Sequence, residues 1–123
     1  MALGTNNSTI ASPHHIFAKY YAALADRLMP HAQKLMFVGL PRIDMSCQLA
    51  LQYFDRAAID RHDAKIRAIA KQRSVDFIDI RSEASTNGMT VDGVHLTAAG
   101  YKPWGAAILS GVESELGCKT AQN

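Results

Sequence analysis

Apolar residues fall into two kinds of run along this chain: stretches with three- and four-residue spacing, and short unbroken ones. Over residues 12–30, Phe17, Tyr20, Tyr21, Leu24 and Leu28 recur at helical spacing. Ser12 stands ahead of them as an N-cap, Pro13 suits the first turn, and Pro30 stops the run. The apolar run 35–40, closed by Pro41, has the length and lack of alternation of a strand covered on both faces. A polar connection then leads to a second helix over 53–73, with Ile59, Ile66, Ile69 and Ala70 as its apolar stripe. Arg56 with Asp60 and Asp63 with Arg67 form i,i+4 pairs on what reads as the solvated face. Residues 75–80 predict a second strand. After a Ser/Thr/Asn/Gly loop, Thr97 caps a last helix carrying Trp104, Ile108, Leu109, Val112 and Leu116, its first turn kinked or separated at Pro103. Met1-Ala2-Leu3 reads as the end of a further strand.

Strands and helices therefore alternate, which predicts an α/β fold with a parallel sheet and right-handed crossovers. Ligands of such sheets gather at the carboxyl ends of the strands. Gly4-Thr5-Asn6-Asn7 follows the strand stub and the loop holding Asp92 and His95 follows the last strand, so both are expected on that edge.

Composition narrows the function classes. A chain of 123 residues, 48% hydrophobic and 20% charged, is that of one ordinary globular domain, and residues 1–123 are treated as a single unit. The net charge of +2 comes from mixed acids and bases without a Lys/Arg stripe, so no nucleic-acid partner is expected. No apolar segment is long enough to span a bilayer and no signal-peptide layout is present; a cytoplasmic location is the default expectation. Cys47 and Cys118 are expected as reduced thiols. His14, His15, His31 and His62 lack metal-ligand spacing and are expected at surfaces or helix ends, so neither a metal nor a cofactor is expected. Phe17, Tyr20, Tyr21 and Trp104 are expected in the core.

The chemistry sits in Val91-Asp92-Gly93-Val94-His95-Leu96. Histidine can act as a general base near neutral pH, and a carboxylate beside it fixes the tautomer and stabilises the imidazolium. An Asp-x-x-His pair alone is common, and a turn-closing Asp92 with a helix-flanking His95 is the alternative. The wider block, Asp92-Gly93-Val94-His95-Leu96-Thr97-Ala98-Ala99-Gly100-Tyr101 with Trp104 beyond it, resembles the last signature block of the SGNH (GDSL-type) esterases and lipases. Gly4-Thr5-Asn6-Asn7 resembles the family's Gly-x-Asn-Asp block, with Asn7 where Asp is usual, and residues 37–41 look like its next strand. The resemblance runs from Asn6 to Leu116. It implies a partial flavodoxin-like, three-layer α/β/α fold without the family's first strands. His95 would be the general base, Asp92 its orienting partner, and Asn6 an oxyanion donor supported by the loop of Gly4 and Asn7.

The family's Gly-Asp-Ser nucleophile block and second Gly block are absent from the sequence. Ser8, Ser46, Ser82 and Ser85 do not sit in the sharp post-strand turn that presents a nucleophile. Three expectations follow. The chain is an ester-hydrolase fragment that acts on a small ester with a serine from elsewhere; or it is a non-catalytic oligomeric binding or structural module; or the reading frame ahead of Met1 encodes the missing blocks. An uncovered sheet edge also predicts a homo-oligomer, a dimer through that edge or the helix faces.

Overall fold

The computed structural model describes residues 1–81 and 88–117. Its sheet has two parallel strands, β1 (Met36–Val38) and β2 (Asp76–Ile78), in register Met36↔Asp76 through Val38↔Ile78. Among the described residues, four α-helices pack with it: α1 (Phe17–Leu28), α2 (Gln48–Tyr53), α3 (Arg56–Gln72) and α4 (Ala98–Leu116). Successive side chains of β1 point to opposite faces. Phe37 is buried with Phe17 and Tyr21 of α1 and Ile59, Ile66 and Ile69 of α3, whereas Val38 joins Ile78 and Ile80 beneath Trp104, Ala107 and Ile108 of α4. This is the three-layer α/β/α arrangement in partial form.

Residues 1–3 fall short of a strand, but Met1 is bonded as one. Its terminal ammonium donates to the Met36 carbonyl and its carbonyl accepts from Val38 N at 2.9 Å, on the side of β1 away from β2. The chain then rises into the Gly4–Asn7 turn.

Several sequence expectations need correction. α1 begins at Phe17, after a 3₁₀ turn over His14–Ile16, and the Ser12 side chain caps neither: it pairs with Thr9 Oγ1 at 2.6 Å and donates to the Asn6 carbonyl at 3.3 Å. Tyr20 is 63% exposed, because the inward stripe of α1 is Phe17, Tyr21 and Ala25. The connection before α3 contains α2, anchored by the buried Ala50. Asp55 caps α3 by accepting from Ala58 N at 3.1 Å. The pair expected between Arg56 and Asp60 is replaced by Arg81 to Asp60 at 2.6 Å. Asp63 is buried and accepts from Leu40 N at 2.8 Å, holding the chain as it leaves β1; Arg67 stands 3.9 Å away. α4 runs unbroken through Pro103, since the bond that proline cannot make belongs to the exposed first turns. Thr97 caps it as expected, accepting from Gly100 N at 3.1 Å. Of its expected apolar stripe, Leu109 and Leu116 are exposed. Cys47 is a free, partly exposed thiol; Cys118, Ser82 and Ser85 lie outside the described residues. Among the described residues no helix is long and apolar enough to cross a membrane, and no cluster of three or more His, Cys, Asp or Glu could hold a metal.

Candidate active site

Two backbone hydrogen bonds pinch off the loop that carries Asp92 and His95. Val91 N donates to the His95 carbonyl at 2.8 Å and Thr97 N to the Met89 carbonyl at 2.9 Å, so residues 91–95 project from a closed neck. Gly93 makes the turn at φ 92° and its carbonyl accepts from Asp44 N at 2.8 Å. A Cβ at Gly93 would meet the Asp44 carbonyl at 2.6 Å and Ala50 and Cys47 below 3 Å, so this position excludes any side chain. The loop is thereby seated on the segment that leaves β1.

Within the loop one carboxylate organises three donors. Asp92 Oδ1 accepts from the backbone N of Val94 at 3.0 Å and of His95 at 2.9 Å, and Oδ2 faces His95 Nδ1 at 2.7 Å. The His95 amide, then its ring, then the Val94 amide hold the Asp92 carboxyl well below the usual carboxylate range, at about 2. A charged Oδ2 selects the tautomer with the proton on Nδ1. Nε2 is left as the basic nitrogen of an exposed imidazole, with no hydrogen bond among the described residues.

The Asn6 loop is built separately. Gly4 is buried at φ 136°, pressed against Leu40 and Phe17. Its carbonyl accepts from Asn7 N at 3.1 Å and from Ser8 Oγ at 3.1 Å. Asn6 and Asn7 are exposed and free of the core. Asp92 and His95 are thus brought into contact, whereas Asn6 reaches the same sheet edge without a bond to either.

Two residues that hold this loop escaped the sequence reading. Ser8 is fully buried and its Oγ lies 2.8 Å from Nδ1 of His62, which is itself 3% exposed and stacked on Phe17 at 3.9 Å. Ser8 Oγ bridges the Gly4 carbonyl and His62 Nδ1, and His62 Nε2 is buried without a hydrogen-bond partner among the described residues. Burial, with His14 nearby, pushes the His62 pKa down. The signal was available: positions 59, 62, 63, 66, 69 and 70 form one helical face, so His62 and Asp63 belong to the apolar stripe.

Comparison with known proteins decides the ancestry. The family model described as GDSL-like lipase/acylhydrolase matches residues 1–102. The chain belongs to the GDSL-like lipase/acylhydrolase family. Solved structures similar to it include a lipase/acylhydrolase from Enterococcus faecalis (15% identity, TM-score 0.77), covering 93% of this chain and 60% of that one. A GDSL-like lipase from Bacteroides thetaiotaomicron (21%, TM-score 0.70) covers 85% and 55%, and an aryl esterase from M. smegmatis (24%, TM-score 0.73) covers 92% and 58%. At these identities the likeness establishes the GDSL-like fold. The chain spans between 55% and 60% of the length of these three structures. Comparison with curated proteins gives no match.

Proposed function

We propose that this chain supplies the acid–base pair and one oxyanion donor of a serine-type carboxylic-ester hydrolase. The observation that carries this reading is the Asp92–His95 contact in a hydrogen-bonded loop that follows the last strand, at the edge where ligands of such sheets gather. In this reading His95 Nε2 removes the proton from a serine hydroxyl as its oxygen attacks the ester carbonyl carbon. The same nitrogen returns the proton to the departing alkoxide, and Asp92 stabilises the imidazolium between the two steps. The Asn6 amide donates to the tetrahedral oxygen. Water, activated by His95, then cleaves the acyl-serine.

The serine comes from outside the described residues, from a partner chain or a segment joined to this one. Ser8 is inaccessible, Ser12 is bonded to Thr9 and Ser46 Oγ donates to Asp44 at 2.6 Å. A homodimer through the uncovered side of Met1 or the neighbouring helix face is the assembly proposed, since Leu3, Tyr20, Leu24 and Leu28 are all exposed there. Light scattering is expected to give twice the chain mass at low micromolar concentration; a monomer there contradicts the dimer.

The test of activity is hydrolysis of p-nitrophenyl acetate by the protein and by His95→Ala, with serine labelling by a fluorophosphonate. The second reading, a non-catalytic binding or structural module, is favoured by one observation: none of the described serines bonds to His95. Background rates in both proteins would support that module.

A further inference from the structure

We propose that the cleft beside the Asp92–His95 loop is an anion subsite, and that it selects esters carrying a carboxylate or phosphate group. The proposal rests on the hydrolase reading for the word ester, though not for the anion.

The cleft, about 520 Å³, opens between the segment leaving β1 and the start of α3. Three guanidinium side chains line it, Arg42, Arg56 and Arg81, against two carboxylates, Asp44 and Asp60. Of the two carboxylates only Asp60 is paired with a guanidinium among the described residues; Asp44 keeps its charge, leaving it as the one unpaired carboxylate facing Arg42 and Arg56. Asp44 Oδ1 accepts from the amide and hydroxyl of Ser46 at 3.0 and 2.6 Å, and Asp60 accepts from Arg81 at 2.6 Å. Arg42 and Arg56 have no carboxylate partner among the described residues and are exposed to the cleft's solvent. Their planar, permanently charged groups favour bidentate recognition of carboxylate or phosphate oxygens. Arg81 is fixed between Asp60 and Asp63, and its Nε is buried without a partner among the described residues.

Position links this charge to the candidate chemistry. Asp44 lines the cleft and donates its amide to the Gly93 carbonyl, two residues before His95, so cleft and acid–base loop share a wall. In the proposal, an ester held there by its anionic end extends across this shared wall toward the loop that carries His95.

The experiment titrates the protein with succinate and, separately, inorganic phosphate at low ionic strength, following backbone amides by NMR. Saturable shifts at residues 42–46 and 56–60 are expected, with affinity about tenfold or more weaker in R42Q/R56Q and largely kept in R42K/R56K. Matched far-UV spectra and melting temperatures establish that the variants fold. No saturable shift with either anion, or equal affinity in wild type and R42Q/R56Q, overturns the proposal. A second arm compares p-nitrophenyl acetate with p-nitrophenyl hemisuccinate. Anion binding without cleavage of either ester leaves the subsite standing and removes the hydrolase reading. Cleavage of both esters without anion binding, or without preference for the anionic ester, removes the subsite and leaves hydrolysis.

Discussion

Asp92 holds His95 twice, through the ring at Nδ1 (2.7 Å) and through the backbone amide (2.9 Å). One carboxylate therefore sets both the tautomer of the imidazole and the shape of the loop that carries it. In Asp92→Ala the amides of Val94 and His95 lose their acceptor, and their hydrogen exchange is expected to accelerate about tenfold or more while that of the α3 interior is unchanged. Acid should do the same. The folded carboxyl titrates at about 2 and the unfolded one at 3.8, so the stabilisation is fully present above about 4 and is lost as pH falls through about 2. Protection of these two amides that is indifferent to the substitution would contradict the clamp.

Gly93 supports the clamp from below. Its φ of 92° and the Asp44 carbonyl 2.6 Å from a would-be Cβ predict that Gly93→Ala destabilises the protein by about 1–3 kcal/mol in urea unfolding. Gly105, inside α4 with open space at its Cβ position, predicts the opposite sign: Gly105→Ala should stabilise by about 0.5–1 kcal/mol.

The Ser8–His62 pair predicts a pH-dependent stability of its own. Burial lowers the His62 pKa from 6.5, so the unfolded chain binds a proton at a pH where the folded one does not. Stability is complete above about 6.5 and declines as pH falls from there toward the lower folded pKa. His62→Gln should flatten that slope in chemical unfolding below about pH 6.5, and Ser8→Ala should cost about 1–3 kcal/mol by leaving the buried His62 Nδ1 without its partner. An unchanged slope in His62→Gln would contradict the assignment of a buried neutral imidazole.

These contacts also mark what the sequence could and could not convey. The strands at 36–38 and 76–78, the parallel order, the Thr97 cap and the Asp92–His95 loop follow from short apolar runs, crossover length and local chemistry, all visible in a few consecutive residues. α2 was hidden because its inward face is little more than Ala50, too small to set a period. His62 and Asp63 were misread because their charge outweighed their position on the stripe of Ile59 and Ile66. Their burial depends on partners far along the chain, Ser8 and Leu40, that no local pattern announces. Tyr20 shows the converse: aromatic and helically spaced, it stays exposed because Phe17 and Tyr21 already fill the inward face.

The measurement closest to the central claim is the initial rate of p-nitrophenyl acetate hydrolysis by the wild-type protein and by His95→Ala at neutral pH. With the serine supplied within the assembly that this chain itself forms, His95 as its base predicts a wild-type rate above buffer background and a loss of about a hundredfold or more in the variant. Equal rates at background in both proteins would contradict it.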